Sequence, residues 1–69
     1  MKVYFQNSKG NEILIGETSD SEEATRVIKK FCRERSFKIP YMRCWVDPDN
    51  ENRTVVDVSS HVEFFVIER

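Results

Sequence analysis

The chain has 69 residues, 39% of them apolar and 33% charged, with a formal net charge of −1. That length holds one domain, residues 1–69, with one modest core, because a chain this short buries only about 60% of the surface its unfolded form exposes. Five Phe, two Tyr and one Trp exclude a disordered chain, and the near-neutral charge excludes recruitment of nucleic acid or an acidic membrane by overall field.

Val3 and Phe5 alternate with Lys2, Tyr4 and Gln6, the period of a half-buried strand. Asn7-Ser8-Lys9-Gly10-Asn11 is a hairpin turn cluster, and Glu12 to Glu17 is a second strand antiparallel to the first. Thr18 to Glu23 opens a helix, with capping-box spacing at Ser19/Glu22 and at Asp20/Glu23. Its acids also sit at the positive end of the helix dipole. Ala24, Val27, Ile28, Phe31 and Cys32 then follow the i, i+3, i+4, i+7, i+8 pattern of an amphipathic helix. The helix is expected to end near Arg35-Ser36, before Pro40. Tyr41 to Val46 is a third strand, Asp47 to Asn52 a polar loop, and Thr54 to Val58 a fourth strand. After a turn or bulge at Ser59-Ser60-His61, Val62 to Ile67 is a fifth strand or the continuation of a long bent fourth.

The order ββαββ(β) implies an α+β domain: a mainly antiparallel sheet with the helix packed on one face. Alternation assigns Val3, Phe5, Ile13, Ile15, Met42, Cys44, Val46, Val56, Val58, Val62, Phe64 and Val66 to the helix side. The other side then carries Tyr4, Leu14, Tyr41, Arg43, Trp45, Val55, Asp57, Glu63, Phe65 and Ile67. One helix cannot cover both faces of a sheet, so this second face is expected to be open, and it is too aromatic for an ordinary wet surface. Trp, Tyr, Phe and Arg are the residues enriched at protein contacts. Tyr4, Tyr41, Arg43, Trp45 and Phe65 are therefore the expected partner-binding set, for another protein or a second copy of the chain. Aromatic sheet platforms also stack nucleic-acid bases, but Asp57 and Glu63 on the same face would repel phosphate.

A second charged feature lies on the helix. Arg26, Lys29, Lys30 and Arg33 share the face opposite the apolar stripe, which is the pattern of a solvated face or of a nucleic-acid contact. Residues 1–46 carry nine Lys/Arg against six Asp/Glu, and residues 47–69 two against six, so the surface is two-signed.

No catalytic residue, metal or cofactor is expected. Asp57, Ser59 and His61 alternate, but residues two apart in a strand stand about 6.5–7 Å from each other. A hydrogen-bonded catalytic relay needs about 2.6–3.2 Å. Cys32, Cys44 and His61 lack the close pairs of a structural zinc site. Both cysteines are expected to face inward as small hydrophobes, where a Cys32–Cys44 disulfide is also conceivable. Gly10 and Gly16 open no glycine-rich phosphate loop. No apolar run approaches ~18 residues and the start does not follow a signal-peptide pattern, so a cytoplasmic protein with free thiols is the expectation.

The segments Tyr41-Met42-Arg43-Cys44-Trp45-Val46-Asp47 and Val56-Asp57-Val58-Ser59-Ser60-His61-Val62-Glu63-Phe64-Phe65 resemble small uncharacterised proteins encoded by phages and prophages of Gram-positive bacteria. The Val-Tyr-Phe and Ile-Leu-Ile-Gly strands at the start are similar in kind. That resemblance implies a bacterial or phage cytoplasm and a host protein as partner, and it assigns no functional residue. The element order is also similar to that of a β-grasp domain, an analogy of fold that implies no function.

Overall fold

The computed structural model describes residues 1–39, 41–58 and 63–69. The expected hairpin is formed by β1 (Lys2–Gln6) and β2 (Glu12–Glu17). Asn7 closes its turn: the Oδ1 atom accepts from the N–H groups of Lys9 and Asn11 at 2.9 and 3.0 Å, and the carbonyl accepts from Gly10. Gly10 adopts φ 84°, a conformation that costs glycine nothing.

Helix α1 (Ser21–Glu34) follows. Of the two cap spacings the sequence offers, the helix uses the second, with the return bond displaced by one residue. Asp20 is the N-cap, and its carboxylate accepts from the Glu23 N–H at 2.8 Å, while Glu23 reaches back to the Ser19 N–H. At the other end the Phe37 N–H donates to the Cys32 carbonyl and the Ser36 N–H to that of Arg33. This is a Schellman closure with Ser36 at φ 58°. It turns Phe37 back onto the core, where its ring lies 6.3 Å from Phe5 and 6.4 Å from Phe31.

Three strands complete the chain: β3 (Arg43–Asp47), β4 (Asn50–Asp57) and β5 (Phe64–Glu68). The polar loop expected over Asp47–Asn52 is shorter than its composition suggests, since β4 begins at Asn50 and only Pro48 and Asp49 turn. The register between β3 and β4 shifts next to this turn, between Val46 and Asp47. The Ser59-Ser60-His61 turn, Val62 and Pro40 lie outside the described residues.

The sheet has five strands in the order β2-β1-β5-β4-β3, and every neighbouring pair is antiparallel. This is the α+β class with one helix that the sequence predicts. Cross-strand partners share a face, so the pairings place each side chain. On the helix side one row runs Ile13–Phe5–Phe65–Val56–Cys44 across all five strands. Its three central members are buried, together with Val3, Ala24, Ile28, Cys32 and Val58. Phe5, Phe31 and Phe65 stack within 5.6 Å of one another, and Phe37 joins them at the rim. Gly16 lies under the helix, where an added Cβ would stand 3.0 Å from a Val27 methyl.

One strand reverses the expected facing. Phe65 and Ile67 point to the helix, with Phe65 only 2% exposed, while Phe64 and Val66 point to the second face. Phe65 is therefore core and leaves the partner-binding set. Glu63 lines a cleft with Phe37 and Phe65 rather than standing on the open face. The cause is pairing: Phe5 aligns with Phe65, and the aromatic cluster forms only in that register.

Helix coverage is also narrower than expected. The helix rests on β1, β2 and β5 and not on β3. Met42, Cys44 and Val46 are on the helix side as predicted, yet all three remain exposed. Ile13, at the other end of its row, is 53% exposed although its strand lies beside the helix. Among the described residues no helix is long and apolar enough to cross a membrane.

Candidate partner-binding face

The second face is built on another transverse row. Leu14, Tyr4, Val66, Val55 and Trp45 oppose one another in sequence across β2, β1, β5, β4 and β3. Polar side chains flank it on both sides, Arg43, Asp57 and Gln6 along one and Lys2, Glu68 and Arg53 along the other.

The centre of this row is covered. Arg53 donates to Glu68 at 3.0 Å and to Glu12 at 2.5 Å, and Glu12 belongs to β2, beyond both β5 and β1. Three inter-strand spacings amount to about 14 Å on a flat sheet. The two long side chains together bridge that span over the intervening strands. The guanidinium passes 5.9 Å from the Tyr4 ring centroid. Beneath it Val66 is 2% exposed and Tyr4 is half-buried. The hydrogen bond to Glu12 raises the Arg53 pKa, and the Glu68 carboxylate adds to the shift. Tyr4 is thus a roofed residue rather than a free contact. Alternation with Val55 and Asp57 would have placed Arg53 on this face, but no local pattern announces a partner 41 residues away.

The β3 end of the row is open. Trp45 is 44% exposed and meets Phe64 edge-on at 6.3 Å. Tyr41 is exposed, with the Arg43 guanidinium 5.0 Å from its ring centroid. Arg43 Nη2 also donates to Asp57 Oδ2 at 2.8 Å, and the Tyr41 hydroxyl reaches the same oxygen at 3.5 Å. Asp57 is 2% exposed, and its Oδ1 has no hydrogen-bond partner among the described residues. A buried carboxylate needs its counter-ion. The hydrogen bond to Asp57 in turn raises the Arg43 pKa. Arg43 therefore has a structural task besides its exposed position.

The structure brings together Tyr41, Arg43 and Trp45 of the predicted set, adds Phe64, and separates Tyr4 and Phe65. The signal for Phe64 was the run Phe64–Ile67, apolar at every position, which marks a central strand with both faces covered.

The helix cations Arg26, Lys29, Lys30 and Arg33 are all exposed, and Arg26 pairs with Glu22 at 2.8 Å one turn away. Cys32 and Cys44 are free thiols that both lie on the helix side, but only Cys32 is buried. Burial pushes the Cys32 thiol pKa up. Of the candidate relay only Asp57 is described, and among the described residues no group of three or more potential metal ligands occurs. On the helix side, Ile28, Met42, Cys44, Val56 and Ile67 line a cleft of about 390 Å³ between α1 and the uncovered strands. The chain matches no protein-family model, no curated protein and no solved structure.

Proposed function

We propose that this chain is a non-enzymatic protein-interaction module whose partner docks on the β3 end of the second sheet face, with Trp45 as anchor and Arg43, Tyr41 and Phe64 around it. The observation that carries the reading is Trp45 itself. A 44% exposed Trp, braced edge-on by Phe64 beside a Tyr–Arg stack, presents apolar area in a rigid frame. Trp, Tyr and Arg dominate the energetics of protein contacts, because they fill pockets with little loss of rotamer freedom. The resemblance to phage and prophage proteins puts a host protein among the partners to look for.

Affinity capture at low and high salt, with identification of the bound species, tests this reading against nucleic-acid binding by the helix cations. An aromatic protein contact survives high salt, whereas a phosphate contact falls steeply. A protein retained at both salt concentrations supports the proposal. A nucleic acid lost at high salt, with no retained protein, overturns it.

A further inference from the structure

The sheet has two edges, β2 and β3. The β2 edge is blunted, since its pairing with β1 shifts register between Val3 and Tyr4 and its ends are Glu12 and Glu17. The β3 pairing also shifts register, between Val46 and Asp47, but the skipped residues, Glu51 to Arg53, belong to β4. The residue skipped at the other edge, Ile15, belongs to β2 itself. The β3 strand therefore runs on without an extra residue, and its end charges, Arg43 and Asp47, are of opposite sign. Four of its five residues, Arg43 to Val46, are exposed, and no Lys or Pro lies within it. Only β4 pairs with it among the described residues, so alternate backbone N–H and C=O groups face outward. An unprotected edge is a template for another strand.

The sequence of β3 is complementary to itself when reversed. We propose that a second copy of this chain pairs with β3 edge to edge, antiparallel and centred on Trp45, to make one ten-stranded sheet across a two-fold axis. In that register Arg43 stands opposite the partner's Asp47, and Asp47 opposite the partner's Arg43. Trp45 meets the partner's Trp45, and Cys44 meets the partner's Val46. The axis is perpendicular to the sheet and keeps each face on its own side, so one-residue shifts are excluded by side-chain facing. A two-residue shift centres the pair on Cys44 or Val46, separates Arg43 from Asp47 and leaves residues of the strand unpaired. The Trp45-centred register alone pairs all five residues and places opposite charges at both ends. Arg43 can hold Asp57 with one N–H and still offer others, because a guanidinium carries five donors. Asp47 uses Oδ1 for the Asp49 N–H, which leaves Oδ2 for the partner. On the helix side the pairing also covers Val46, 53% exposed in the single chain.

This inference rests on the reading of the β3 side chains as a contact surface and names the partner. Sedimentation velocity over a concentration series tests it. The wild-type chain should reach twice its 8.2 kDa mass. D47R places like charges opposite each other at both ends and should weaken association on the order of tenfold. R43D, combined with D57N so that no second acid crowds the buried carboxylate, should weaken it similarly. An equimolar mixture of the two chains restores opposite charges at both ends and should recover the dimer. An independent readout is oxidative cross-linking of the V46C chain, which keeps Trp45 and sets Cys44 opposite the partner's position 46. Residues directly opposite on paired strands are within disulfide reach, whereas wild-type Cys44 and its copy lie on a diagonal of about 7–8 Å, beyond the usual span. A covalent dimer of V46C, absent from wild type, supports the register. A monomeric wild type, a dimer indifferent to D47R, a mixture that does not recover, or no cross-link overturns it. Retention of a different protein in a Trp45-dependent way by a monomeric chain would leave the interaction-module reading standing. Loss of that dependence would sink the reading separately.

Discussion

Arg43 and Asp57 face each other across β3 and β4, and the 2.8 Å hydrogen bond between them ties an exposed cation to a carboxylate that is 2% exposed. The fold thereby uses a residue that also stands on the candidate contact surface. Arg43→Ala should lower the denaturation midpoint, because it leaves Asp57 charged, buried and without its counter-ion. Adding Asp57→Asn should recover much of that loss by removing the charge. Equilibrium unfolding of the three variants measures this. Equal midpoints for Arg43→Ala and wild type would show that Asp57 is compensated elsewhere. For the same reason Arg43 substitutions alone cannot report on binding.

Adjacent residues of β5 should behave oppositely. Phe65→Ala removes a ring packed against Phe5 and Phe31. A buried Phe truncated to Ala costs about 3–5 kcal/mol, a large share of the stability of so small a domain. Phe64→Ala removes the half-buried brace of Trp45 and should leave a folded chain with weakened association. Far-UV spectra and denaturation midpoints separate the two. A folded Phe65→Ala chain beside an unfolded Phe64→Ala chain would restore the facing expected from sequence.

That pair also marks where the sequence was legible and where it was not. Strict alternation in Val3–Phe5 and Met42–Val46 assigned β1 and β3 to the correct faces, and the i, i+3, i+4 pattern from Ala24 to Cys32 found the helix stripe. Phe64–Ile67 is apolar at every position, so either register buries an apolar row, and only pairing with Phe5 decides between them. Strand order mattered as much. With β3 at an edge beyond the reach of the helix, Cys44 and Val46 face the helix side without being covered. The Arg53–Glu12 bridge depends on strand order, joining β4 to β2 across two intervening strands, which has no signature in a local pattern.

The cysteines should differ sharply in reactivity. Native thiol titration should find one fast thiol, Cys44, and a second, Cys32, that reacts only on unfolding. Burial raises the Cys32 pKa, so the core accepts its neutral form. Its contribution to stability is complete below the ordinary thiol pKa and is lost as pH rises through the raised value. Denaturation midpoints should therefore fall on the alkaline side more for wild type than for Cys32→Ala. Two fast thiols in the native protein would contradict the burial of Cys32.

The helix cations are expected to be a solvated face. Replacing Lys29 and Lys30 with Glu should change the free energy of unfolding by no more than about 0.5 kcal/mol per site, as for other exposed positions, and should leave protein capture intact. If the same variant instead abolished a salt-sensitive DNA or RNA complex, the function would lie on the helix.

Trp45→Ala is the most direct test of the central claim, that the β3 end of the second face binds protein. Trp45 is 44% exposed and contributes nothing to the buried cluster on the helix side. The measurement is association, by solution mass and partner capture, on a variant whose far-UV spectrum is recorded in the same preparation. A native spectrum with association weakened on the order of tenfold or more, the scale of an anchor residue, is the predicted result. Undiminished association with a native spectrum would contradict the claim.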